Sequence, residues 1–109
     1  MFPLRVVAPA RSDLISMTAF LATKETRLAI RFRQAVATSF DRLRSTPDLG
    51  ELWQTNNKSL QGVRVWSIRG FPNHLIFHRF EDGEVIVLRI LHASQDSYSI
   101  FSGVAGDNP

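Results

Sequence analysis

Apolar residues in the first half of the chain recur every three or four positions, and in the second half nearly every two, so helices are expected to precede strands. Leu4 to Val7 is a short apolar stretch read as a brief strand, and Pro9 behind it suits the first turn of a helix, where its missing N–H is not needed. Leu14, Met17 and Leu21, with Ile15, Ala19 and Ala22 beside them, predict a helix from Ala10 to near Thr23. Polar residues at Thr23 to Thr26 supply a break with capping residue types. Leu28, Ala29, Phe32, Val36, Phe40 and Leu43 then mark a longer helix, whose other face carries Arg27, Arg31, Gln34, Thr38 and Arg42. Pro47 disfavours helix in the residue before it, so this helix must stop by Ser45 or Thr46. The two helices form an αα-hairpin.

Asp48 to Ser59 is polar, contains Gly50 and has no clear period; it reads as a loop, with Leu49, Leu52 and Trp53 able to tuck under the domain. Val63 to Arg69, His74 to Phe80 and Glu84 to Leu91 are rich in Val, Ile and Phe, and turn residues separate them at Gly70 to Asn73 and at Asp82 with Gly83. They predict a three-stranded antiparallel meander. In its last strand Val85, Val87 and Arg89 alternate with Ile86, Leu88 and Ile90, so both sheet faces are apolar near the centre and one of them takes the helix pair. The expected class is α+β: an N-terminal strand, the αα-hairpin, then the meander, as one domain over residues 1–102 with a flexible tail over 103–109. Strand order stays open, because Leu4 to Val7 could pair at either edge or beside the last strand.

Composition fits one globular domain: 109 residues, 44% hydrophobic and 21% charged. With no cysteine, disulfide frameworks, thiolate zinc sites and cysteine nucleophiles are excluded. No apolar run approaches the roughly 20 residues of a membrane span, and Met1 to Ala10, broken by Pro3, Arg5 and Pro9, lacks the apolar stretch of a signal peptide. A soluble, cytoplasmic protein with no membrane partner is expected. Thirteen Lys and Arg against ten Asp and Glu give a net charge of +3, a mild surplus that favours an acidic partner.

The glycine spacing matches no dinucleotide or Walker loop. His74 and His78 lie four apart on one strand, roughly 13 Å at about 3.3 Å per residue, too far to share an ion. No metal and no cofactor are expected. His92, at a strand end beside Ser94, Gln95 and Asp96, is the histidine best placed for a functional contact.

Several pieces, in this order, carry a family resemblance: "APARSDL" at the first helix start, "RLAIRF" in the second helix, "STPDLG" after it, the entry Gly62, Val63, Arg64, the hairpin "LIFHRFEDGEV" and the closing "RILHASQD". Together they resemble the ParE/RelE superfamily of bacterial toxin–antitoxin toxins over nearly the whole chain. The resemblance implies a helix pair packed on a small antiparallel sheet, and a toxin held inactive by a cognate antitoxin. Such antitoxins are acidic, partly disordered chains that fold on the toxin, and Arg27, Arg31 and Arg42 are the candidate antitoxin contacts.

The superfamily divides by mechanism. RelE-like members are ribosome-dependent mRNA endonucleases, which gather arginines and proton-transfer groups on one face and use a tyrosine near the C-terminus. Here Leu75 stands where those relatives often have an arginine, and the strand from Val63 has no lysine. The remaining candidates for catalysis are Arg64, Arg79, His92 and Tyr98, with structural uses available to each: loop-pinning contacts for the arginines, a tail anchor for Tyr98. The ending "RILHASQD" is instead similar to the ParE branch, whose members poison DNA gyrase by binding. That branch implies no catalytic residue and a target contact built from Arg89, His92, Gln95 and Asp96, although Ala93 and Gln95 replace the glycine and arginine common there. Two alternatives stay open, a RelE-like endonuclease acting on the ribosome and mRNA, and a detoxified relative that only binds antitoxin.

Overall fold

The computed structural model describes residues 1–105. Strand β1 (Leu4–Val6) leads directly into helix α1 (Ala8–Lys24), with Pro9 in the first turn; helix α2 (Thr26–Ser45) follows after the single extended residue Glu25. Strands β2 (Glu51–Leu52), β3 (Arg64–Ile68), β4 (Phe71–Glu81) and β5 (Glu84–His92) come next, and helix α3 (Ser97–Ala105) closes the chain. The segment read as a loop holds β2 and a single 3₁₀ turn, Lys58–Leu60. The helix α3 had no clear signal in its short Tyr98, Ile100, Phe101 patch, which spans barely a turn. It covers 103–105 of the expected tail, and 106–109 lie outside the described residues.

The meander is the middle of a five-stranded sheet in the order β1-β5-β4-β3-β2. Only β1 runs parallel to its neighbour, with Arg5 opposite Ile86, because α1 and α2 carry the chain back before the other strands are made. Asp82 (φ 54°) and Gly83 (φ 74°) both take the left-handed conformation that a tight two-residue hairpin requires. At Gly50 (φ 90°) a side-chain carbon would sit 2.3 Å from the Val65 carbonyl oxygen, so only glycine lets the segment after α2 approach β3 this closely.

The sheet is covered on both faces. On one, Phe32, Val36 and Leu43 of α2 and Ala10 and Leu21 of α1 meet Ile68, Ile76, Val85, Val87 and Ile90. On the other, Val63, Phe77 and Leu91 pack with Phe101, and the Trp53 ring lies 4.8 Å from Phe101 and 5.3 Å from Phe77.

The strict alternation expected along β5 fails at one point. Arg79 pairs with Ile86 and His78 with Val87, but Phe77 pairs with Arg89, so Leu88 is an extra residue on β5. A bulge of this kind shifts the two-residue period by one. Val85 and Val87 before it and Ile90 after it therefore join the helix-side core, while Leu88 and Leu91 join the other.

His78 is fully buried on the helix side, and its Nε2–H donates to the Leu49 carbonyl at 3.1 Å, tying down the chain that follows α2. Among the described residues its buried Nδ1 has no partner. Burial, and secondarily the Arg64 charge, push its pKa down to about 4 against the opposing pull of the Leu49 bond. Above pH 6.5 both folded and unfolded chains keep this ring neutral; below it only the unfolded chain takes the proton readily. Stability is accordingly expected to fall as the pH drops from 6.5 towards 4, by up to about 3 kcal/mol from this residue. Urea unfolding of the wild type and of His78→Gln at pH 7 and pH 4.5 checks this; the variant should show the smaller fall.

Candidate binding site

β5 delivers its C-terminal end to a tight turn held by its own side chains. The His92 N–H donates to Gln95 Oε1 at 2.7 Å, and the Gln95 N–H donates back to the His92 carbonyl at 2.9 Å. The Ser94 N–H donates to His92 Nδ1 at 3.0 Å, with the Ser94 hydroxyl on the same nitrogen at 2.8 Å. Nδ1 is therefore an acceptor, and the neutral ring carries its proton on Nε2. The Ala93 N–H reaches the Asn73 carbonyl at 2.7 Å, which fastens the turn to the start of β4.

Between this turn and α1 lies an open cavity of about 550 Å³, lined by Asp13, Met17, Phe20 and Leu21 on the helix and by His74, His92 and Gln95 on the sheet side. His74 pairs with His92 across the β4–β5 ladder, and their rings stand perpendicular with centres 5.1 Å apart. The His74 ring also packs on Phe32 at 5.0 Å; burial first, then the neighbouring His92, lowers its pKa and keeps it neutral at pH 7. Counting outward from the Asp82–Gly83 turn sets His74 opposite Leu91; the bulge at Leu88 moves it opposite His92. Sequence reasoning weighed His74 only against His78, found the two too far apart to share an ion, and missed this contact.

Arg89, expected to face a target, turns inward. Its Nε and Nη2 donate to the two Asp13 carboxylate oxygens, each at 2.8 Å, and the Ile90 N–H adds a third bond to Oδ2 at 2.9 Å. The Asp13 bond, aided by its charge, raises the Arg89 pKa against the effect of burial. Asp96 caps α3, accepting from the Ser99 hydroxyl at 2.7 Å and the Ser99 N–H at 3.2 Å, bonds that lower its carboxyl pKa. Of the four residues expected in the target contact, His92 and Gln95 line the cavity, while Arg89 and Asp96 hold the structure on either side of the turn.

The four alternative catalytic residues do not converge. Arg64 pairs with His78 and His92 with His74, four residues apart along β4, which separates them by roughly 13 Å. Arg79 neighbours His78 on that strand and so points to the opposite face. Arg64 donates to the Gly50 carbonyl at 3.0 Å, Arg79 to the Ser59 carbonyl at 2.8 Å, and the Tyr98 hydroxyl to the Gln54 carbonyl at 2.7 Å. Tyr98 also stacks on Trp53 at 5.0 Å, which anchors α3.

Arg27, Arg31 and Arg42 share one face of α2 and are exposed; the Arg42 guanidinium sits 5.9 Å from the centre of the Trp66 ring on β3. Among the described residues no group of three or more His, Asp or Glu could hold a metal ion, and no helix is long and apolar enough to cross a membrane.

A family model described as the ParE toxin of the type II toxin–antitoxin system parDE matches residues 4–97. The chain belongs to the ParE toxin family. Its fold is similar to that of a chain in the chromosomal ParDE toxin–antitoxin system of P. aeruginosa, with a TM-score of 0.68 and 18% identity over 84% of this chain and 96% of that one. It is also similar to a chain in the RelBE2 toxin–antitoxin complex of Mycobacterium tuberculosis, with a TM-score of 0.58 and 20% identity over the same shares. Comparison with curated proteins gives no match. The ParE match spans β1 through the Arg89–Asp13 pair to the 92–95 turn, so the cavity lies wholly within the family domain.

The Asp13–Arg89 pair is largely buried, with side chains 13% and 18% exposed. Asp13→Ala strands the guanidinium and the Ile90 N–H, and with allowance for partial solvent access should cost about 2 kcal/mol. Adding Arg89→Met should recover part of that loss, because the unpaired charge goes with it. Urea unfolding of the wild type and these two variants at pH 7 reads both effects.

Proposed function

We propose that this ParE-family toxin acts by binding, arresting growth through DNA gyrase in the cytoplasm, without a cofactor, and that a cognate antitoxin neutralises it. The observation that carries this reading is the commitment of Arg64, Arg79 and Tyr98 to carbonyls of the chain itself, on different parts of the fold. RNA cleavage needs such groups gathered around one phosphate and free to act on it. Target contact falls to the surface formed by His92, Gln95 and the 92–95 turn, with Arg89 and Asp96 as its supports. The fold's likeness to chains of two toxin–antitoxin complexes supports an antitoxin partner.

The purified chain is expected to inhibit gyrase supercoiling and to trap cleaved DNA, with antitoxin reversing both effects. An inert gyrase assay, together with mRNA cleavage in the ribosomal A site that is lost in Arg79→Ala or Tyr98→Phe, would replace this reading by the endonuclease one. No growth arrest on expression of the chain alone would point to a detoxified relative.

Antitoxin binding is assigned to the basic face of α2. Arg31→Glu combined with Arg42→Glu puts two negative charges before an acidic partner, and the complex should weaken at least tenfold, most strongly at low salt. Isothermal titration at two ionic strengths measures it; unchanged affinity would remove this face from the interface.

A further inference from the structure

The cavity under the 92–95 turn has walls of one character and a mouth of another. Met17, Phe20 and Leu21 make its α1 wall apolar, and its volume of about 550 Å³ is that of a small-ligand site. At the mouth, two side chains have spent their acceptors within the turn and kept their donors. His92 Nδ1 is occupied by Ser94, which leaves Nε2–H, and Gln95 Oε1 is occupied by the His92 N–H, which leaves the amide NH₂. The Asp13 carboxylate in the lining is balanced by Arg89 and the Ile90 N–H, so it sets no uncompensated negative charge against an incoming anion. Uncommitted donors above an apolar wall, in a chain of net charge +3, select a ligand that is apolar at one end and anionic at the other.

We propose that this cavity binds an apolar group bearing a carboxylate, of phenylalanine size, either as the C-terminal residue of a peptide or as a free acid. The side chain enters against Met17, Phe20 and Leu21, and the carboxylate oxygens receive the His92 and Gln95 donors. The cavity opens beneath the turn assigned above to target contact, so the biological setting of this ligand rests on that reading, whereas the binding itself is measured without gyrase.

The test is an NMR titration of the full-length ¹⁵N-labelled chain with three probes: acetyl-Gly-Gly-Phe with a free C-terminus, its C-terminal amide, and 3-phenylpropanoate. The free peptide or the free acid should give saturable shifts confined to the cavity lining, Asp13–Leu21, His74 and His92–Gln95, and the tighter of the two identifies the source. The amide should bind about tenfold more weakly, since a hydrogen bond to a charged acceptor exceeds one to a neutral acceptor by about 1.4 kcal/mol. Gln95→Glu keeps the acceptor for the His92 N–H but turns the free amide into a carboxylate oxygen. It should weaken both acids at least tenfold and leave the amide nearly unchanged. Ser16→Trp, at an exposed α1 position on the cavity wall, should fill the space and abolish all shifts. Absence of saturable binding, shifts centred away from these lining residues, or equal affinity for acid and amide would each overturn the proposal. Gyrase inhibition stands or falls on its own assay.

Discussion

Asp13 on α1 accepts three hydrogen bonds from β5 immediately after the bulged Leu88, two from the Arg89 guanidinium and one from the Ile90 N–H. A bulge disturbs the ladder locally, and a carboxylate from the helix layer binds the backbone N–H there. The same contact holds α1 across the sheet, because a bidentate arginine–carboxylate pair fixes orientation as well as distance. With α1 placed, Glu25 as a one-residue connection leaves α2 little choice but to return antiparallel beside it over the same sheet face.

Two consequences reach the surface. The period slip sends Val85, Val87 and Ile90 into one core, and it sets His74 opposite His92 at the mouth of the cavity. The His92 and Gln95 side chains then accept from N–H groups of the 92–95 turn, and the Ala93 N–H donates to the Asn73 carbonyl, so the turn is a braced end of the sheet with outward donors. The opposite end is closed differently. There Gly50 lets the chain after α2 press on β3, while His78 and Arg64 hold that chain by its carbonyls.

This use of charged and polar side chains bears on mechanism. Of the basic groups that could attack or stabilise a phosphodiester, Arg64, Arg79 and Arg89 each brace a neighbouring segment. Among the exposed cationic side chains, Arg27, Arg31, Arg33 and Arg42 are gathered on α2, where they suit a long, charged partner surface better than a single scissile bond. A fold that serves as a binding platform can spend its strand arginines in this way, because recognition needs a rigid surface.

The amino-acid sequence by itself determined the two helices, the antiparallel hairpins and the α+β class, and its motif order was enough for the superfamily. Those features follow from local periodicity and turn chemistry, such as Pro47 ending α2 and Asp82–Gly83 making the hairpin. It also exposed the weak points of a nuclease reading through Leu75 and the lysine-free strand. The parallel pairing of β1 with β5, helix α3, the inward turn of Arg89 and the His74–His92 contact were settled only in three dimensions. Each depends on a residue far along the chain: α3 on the apolar floor offered by Trp53 and Phe77, Arg89 on Asp13, and the histidine pair on one extra residue in β5. A one-residue shift in register leaves no mark in a local pattern, yet it changes which side chains meet.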